Sequence, residues 1–236
     1  MEIRKFKSLE SLSEFCSELI ANEINKKENF VLGLATGSSP VKTYKGLIEK
    51  VKQNKLSFKN VKTVNLDEYV GLDESNENSY RYFMNDNLFD HIDIDKANTF
   101  VPNGKASDLE KECEDYEKNI AALGGIDLQV LGLGDNGHIG FNEPAQVFIP
   151  YTHTVNLTEK TIDANSRFFA SRDEVPKQAI TMGIKSIMSA RKILLIVNKK
   201  EKNGILDLAL TGNINPRLPA SILQLHADLV VAMLED

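Results

Sequence analysis

Apolar residues at three- and four-residue steps (Leu9, Leu12, Phe15, Cys16, Leu19, Ile20 and Ile24) predict an amphipathic helix over residues 8–27. A different pattern then takes over. Short apolar runs at 29–35 (NFVLGLA), 61–66, 128–134, 192–197 (KILLIV) and 229–234 (LVVAML) read as strands buried on both faces, the last of them closing the sheet. Helical periodicity returns between them: from Pro40 through Tyr44, Leu47, Ile48 and Val51, then at 78–91, 108–123, 158–169 and 200–210. The helix at 108–123 stops at Gly124-Gly125, and residues 152–157 alternate like a strand. Strands alternating with helices predict an α/β, Rossmann-like fold: a mostly parallel open sheet with helices on both faces. No internal repeat, low-complexity tract or linker divides the chain, so residues 1–236 are expected to form a single domain.

Composition narrows the function classes. With 42% hydrophobic and 26% charged residues the chain has the balance of an ordinary globular protein, rich enough in apolar residues for a large core. A net charge of −6 argues against nucleic acid or an anionic membrane as partner, though not against a small anionic substrate. The two cysteines, Cys16 and Cys113, form no Cys-x-x-Cys, which fits a reducing compartment. The N-terminus lacks the apolar core of a signal peptide, and no apolar run approaches the ~20 residues of a membrane span. The expectation is a cytoplasmic protein.

The candidate chemistry sits at strand ends, where open α/β sheets place their ligands. The stretch LQVLGLGDNGHIGFNEP (128–144) is a buried strand leading into a glycine-punctuated turn with Asp135, Asn136, His138, Asn142 and Glu143. Imidazole is the natural proton carrier at neutral pH, and Glu143, five residues on, could orient it. Asp135, His138 and Glu143 are also possible metal ligands, but with no second histidine at helical spacing and no thiolate nearby, no metal is expected. Asp67-Glu68 ends another strand. On an extended chain only one of the two can face the crevice, as a proton shuttle or as a helix cap. Thr36-Gly37-Ser38-Ser39 precedes Pro40 and a helix, a place suited to an anion such as phosphate or simply to helix capping by Ser39. It is neither a P-loop nor a dinucleotide loop. Arg167 and Lys202 could clamp a phosphate with that loop or be ordinary surface cations, and Lys199 and Lys200 compete with Lys202 for the place.

LDEYVGL (66–72), GHIGFNEP (137–144), ATGSSP (35–40) and NSRFF (165–169) together resemble the glucosamine-6-phosphate deaminases, of the glucosamine/galactosamine-6-phosphate isomerase family, in a short form. The likeness runs in order along nearly the whole chain, and GHIGFNEP is its specific part. It implies an enzyme of amino-sugar and N-acetylglucosamine catabolism, a hydrolase acting on a C–N bond with isomerisation. Glucosamine 6-phosphate and water would give fructose 6-phosphate and ammonia, without a cofactor. Asp67 then resembles the base moving a proton between C2 and C1, and His138 the group assisting ring opening, with Glu143 as its partner. Gly37, Ser38, Ser39, Arg167 and Lys202 resemble the phosphate site. Some members carry Asp where this chain has Asn136, which implies that Glu143 alone supports the charge of His138. The chain is shorter than hexameric, allosterically activated members, which implies no such activation and a monomer or small homo-oligomer.

Two other readings compete. A 6-phosphogluconolactonase-type hydrolase shares the scaffold but has no use for a carboxylate acting across two carbons, and the Asn142-Glu143-Pro144 ending departs from it. A non-catalytic sugar-phosphate sensor would ordinarily carry a basic DNA-binding segment, whereas here the first helix leads almost directly into the sheet. Residues 146–161, the longest stretch after the central motif without a buried strand, suit a lid.

Overall fold

The computed structural model describes residues 1–166, 169 and 171–235. Strand β1 (Glu2–Phe6) precedes helix α1 (Leu9–Lys26), whose first turn is capped by Ser8 accepting from the Ser11 amide. Next come β2 (Val31–Leu34), α2 (Val41–Lys52), β3 (Lys62–Asn65) and β4 (Asp67–Tyr69). They are followed by α3 (Tyr80–Asn87), β5 (Thr99–Phe100), α4 (Leu109–Ala122), β6 (Leu128–Gly132), β7 (His153–Asn156) and α5 (Glu159–Asn165). The chain continues with β8 (Gln178–Thr181), α6 (Ile184–Met188), β9 (Lys192–Val197), α7 (Asn203–Thr211) and β10 (Leu229–Leu234).

Alternation along the buried strands builds two cores. Leu32, Leu34, Leu194, Ile196, Val230 and Ala232 pack under α1, α2 and α3; Val31, Leu131, Ile193, Leu195, Leu229 and Val231 pack under α4, α6 and α7. Both faces of the sheet are thereby covered, which is why its strands read as unbroken apolar runs. Among the described residues the main sheet has the order β1-β10-β9-β6-β2-β3-β5, with every pairing parallel. From β2 the chain moves outward to β3 and β5; from β6 it moves the other way to β9 and β10. The strand order therefore reverses between β2 and β6, and a crevice opens at their carboxyl ends.

Several details differ from the sequence reading. β10 does not close the sheet: β1 lies outside it, a charged and largely exposed edge strand whose polar pattern hides it from a search for apolar runs. Asp67–Tyr69 is itself a strand, in a second, antiparallel sheet ordered β4-β8-β7. The helix expected over 78–91 is α3, ended at Leu88 by a backbone that leaves helical geometry and followed by a 3₁₀ turn at Phe89–His91. Lys200–Lys202 is likewise a 3₁₀ turn ahead of α7. Among the described residues no helix is long and apolar enough to cross a membrane.

Glu68 ties the two sheets to α3. Its carboxylate accepts from the Tyr69 and Tyr80 amides at 2.7 and 2.9 Å and from the Arg81 amide at 2.9 Å, serving the free N–H groups at the start of α3. Burial raises its pKa against those three bonds. Glu68→Ala strands those donors and should lower unfolding stability by roughly 2–4 kcal/mol in chemical denaturation. A loss below about 0.5 kcal/mol, the range of ordinary surface changes, would remove this role.

Candidate active site

The crevice holds a cavity of about 300 Å³, at the small end of the range for small-molecule sites. Its walls are the loops that follow the carboxyl ends of β2, β3, β6 and β9. These bring Gly37, Ser38, Ser39, Asp67, Asn136, His138, Glu143 and Lys202 to one place from distant parts of the sequence. Arg167, the remaining candidate, lies outside the described residues.

Glu143 organises the wall after β6. Burial raises its pKa, but hydrogen bonding to His138, that residue's charge, and bonds from Asn136 and Thr161 outweigh this and hold it at about 2. An ionised carboxylate only accepts hydrogen bonds. The Asn136 amide must therefore turn its NH2 to Glu143, with Nδ2 2.6 Å from Oε2. Its carbonyl oxygen then faces His138 Nδ1 at 2.7 Å, so Nδ1 carries the proton and Nε2 is left to exchange one. Glu143 Oε1 reaches Nδ1 directly only at 3.4 Å. Asn136 thus shares the support that sequence reasoning gave to Glu143 alone. Gly134 completes the arrangement: a Cβ there would lie 2.3 Å from the imidazole ring, so only glycine lets the ring lie against the loop.

Asp67 sits 6% exposed on the neighbouring wall. Burial, then the charge of Glu68, pushes its carboxyl up to about 8. The two adjacent acids have diverged: one caps α3 and the other lines the cavity. Gly140, at φ +59, leaves room beside Asp67; a Cβ there would stand 3.5 Å from Oδ2 and 3.0 Å from Thr181 Oγ1. The central motif is anchored to β8, since the Phe141 amide donates to Thr181 Oγ1 at 3.0 Å and Asn142 Nδ2 to the Met182 carbonyl at 2.9 Å.

At the far wall Gly37 adopts φ +81, a conformation that favours glycine, and passes the chain to Ser38 and Ser39. Ser39 does not cap α2; the cap position is Pro40, and no side chain bonds the first turn. Its hydroxyl donates instead to Asn198 Oδ1 at 3.3 Å, while Asn198 Nδ2 donates to the Ser38 carbonyl at 3.1 Å. Asn198 thus pins the serine loop to the end of β9. Among the competing lysines, Lys199 and Lys202 line the cavity and Lys200 does not. Lys202 donates to the Leu133 carbonyl and pairs with Asp135 Oδ1 at 3.1 Å.

Sequence reasoning missed Asn198, Tyr80, Thr158 and Thr161. Ser79 and Thr158 occupy N-cap positions, the signal that places Tyr80 and Thr161 at helix starts facing the crevice. Thr161 Oγ1 donates to Glu143 Oε1 at 3.1 Å and so links α5 to the histidine network. Nothing local distinguishes Asn198.

Comparison with known proteins identifies the family. The profile of the family described as glucosamine-6-phosphate isomerases/6-phosphogluconolactonase matches residues 5–231. A glucosamine-6-phosphate deaminase of Lachnoclostridium phytofermentans is 54% identical over 231 residues, covering 98% of each chain. One from Clostridium novyi is 51% identical over 236 residues, covering 100% of this chain and 98% of its own. Among solved structures, a monomeric glucosamine-6-phosphate deaminase superposes with a TM-score of 0.96 at 47% identity, covering 100% of this chain and 98% of its own. A 6-phosphogluconolactonase from Thermotoga maritima, at 21% identity, a TM-score of 0.77 and 99% coverage of both chains, shares the fold alone.

The state of Asp67 has a consequence for stability. Between about 4, where the unfolded chain loses this proton, and about 8, where the folded chain does, the native state binds the extra proton. Stability contributed by this group is therefore present at low pH and lost as pH rises through that window. Asp67→Asn should melt above the wild type at pH 8.5, with the gap narrowing toward pH 4.5. A gap that does not change with pH would show that the carboxyl is not held protonated.

Proposed function

The chain belongs to the family of glucosamine-6-phosphate isomerases and 6-phosphogluconolactonases, and from that premise we propose that it converts glucosamine 6-phosphate and water to fructose 6-phosphate and ammonia. The observation that carries this reading is Asp67, a buried carboxyl at about 8, lining the same cavity as His138. An aldose–ketose shift needs one base reaching adjacent carbons, with a pKa near the working pH.

In the proposed sequence His138 Nε2 takes the proton of the C1 hydroxyl and passes one to the ring oxygen as the sugar opens to its aldehyde, with Nδ1–H held by Asn136 and Glu143. Asp67 takes the C2 proton while the aldehyde oxygen gains the proton that the ammonium gives up, forming an enolamine, and Asp67 then returns its proton to C1, which leaves an iminium at C2. Water adds there and ammonia departs, giving the ketone. The serine loop, Lys202 and Arg167 hold the phosphate, away from the reacting carbons. Binding energy from that remote group positions the sugar against Asp67. Every step moves protons, water and ammonia only. We extend the reading to a monomer acting on an amino-sugar phosphate, in keeping with the monomeric deaminase that this chain resembles.

Ammonia release from glucosamine 6-phosphate tests the reaction, with 6-phosphogluconolactone hydrolysis run alongside. The wild type should release ammonia, and Asp67→Asn should lose at least about 100-fold in kcat. Lactone hydrolysis without ammonia would overturn the reaction, and full activity of Asp67→Asn would overturn the base. A second measurement concerns the relay. Glu143→Gln removes the acceptor that orients Asn136, so kcat should fall about tenfold or more. An unchanged kcat would sink the relay.

A further inference from the structure

Lys202 has a carboxylate partner of its own within the chain. Its ammonium carries three donors, of which the Leu133 carbonyl takes one and Asp135 Oδ1, at 3.1 Å, another. The two partners of this ion pair differ in setting: the Lys202 side chain is 14% exposed and that of Asp135 is 76% exposed. The lysine is held by its surroundings and by a backbone carbonyl, whereas the aspartate stands at the rim, able to turn into water. Exposed ion pairs are weak enough to exchange partners at little cost. Lys199 and His138 also face Asp135 electrostatically, and together with Lys202 they hold its carboxyl below the usual range. Asp135 is therefore an anion at any working pH, lining the same cavity as the serine loop where the phosphate is placed above.

We propose that Asp135 is a built-in counter-ion for Lys202, which an incoming phosphate must displace, and that it lowers the affinity of the cavity for every ligand carrying a phosphate. This rests on the phosphate placement in the preceding subsection. Substrate and product of the proposed reaction share the same phosphate, so a site that bound it as tightly as its cations allow would be slow to empty. The counter-ion returns to Lys202 as the product leaves. Asp135 touches none of the reacting atoms; it positions and neutralises the lysine that does the binding.

Inorganic phosphate is the direct probe, titrated calorimetrically into the wild type, Asp135→Asn and Asp135→Ala at low ionic strength. Asp135 is exposed, so neither variant disturbs the core, and two replacements guard against a contact made by one of them. Both should bind phosphate roughly three- to tenfold tighter than the wild type, with the difference shrinking as salt screens the charges. In turnover, KM for glucosamine 6-phosphate and the inhibition constant of fructose 6-phosphate should fall by the same factor. Unchanged affinity would show that Asp135 does not compete for Lys202, and weaker affinity would show that it holds the lysine in place; either overturns the proposal, as does a wild type that takes up no phosphate. The titration needs no turnover. Tighter phosphate binding in a protein that releases no ammonia would refute the deaminase reading and leave the counter-ion standing.

Discussion

A parallel sheet delivers all its strand ends to one edge, and in this protein that constraint decides where chemistry can happen. The reversal of strand order between β2 and β6 parts the loops at that edge and leaves room for a ligand. The serine loop, Asp67, the His138 relay and Lys202 each follow a different strand, so their spacing is set by the sheet and not by any one loop. The small antiparallel sheet closes one side by pairing Asp67 with Thr181 and anchoring the central motif to the same strand.

Electrostatics then divides the labour among the acids. Glu68 is saturated by three backbone donors, Glu143 is kept ionised by its neighbours, and Asp67 is left where burial works against its charge. These opposite displacements give a permanent anion and a proton-exchanging acid within one cavity, although both begin as ordinary carboxyls. The arrangement has a thermodynamic cost, since an acid kept protonated in the fold opposes folding once the unfolded chain has released its proton.

What the sequence made legible follows from how strongly each feature is written locally. Buried strands carried on both faces are continuous apolar runs, so β2, β6, β9 and β10 stood out. A glycine-rich turn with titratable residues marked His138, a pair of carboxylates at a strand end marked Asp67, and the resemblance gave the candidate set its roles. The features that escaped are those decided by tertiary neighbours. β1 is an exposed edge, and β4 and β8 are short segments that become strands by pairing in the small sheet, β4 with β8 and β8 with β7. Ser39 looks like a cap, yet its hydroxyl is engaged across the sheet by Asn198, more than a hundred residues away. Asn136 reads as a weakened aspartate, and only the position of Glu143 shows that an amide, with one end that donates and one that accepts, serves there.

The edge strand β1 sets the order in which the molecule can be completed. Glu2 lies opposite Val230 and Phe6 opposite Leu234, and among the described residues β10 is the only strand that β1 pairs with. During synthesis, therefore, residues 2–6 leave the ribosome more than two hundred residues ahead of the strand they pair with. Pairings so distant along the chain close late and slowly. Until that pairing closes, one edge of β10 keeps its backbone N–H and C=O groups without a strand partner, an open edge of the kind that invites pairing between chains.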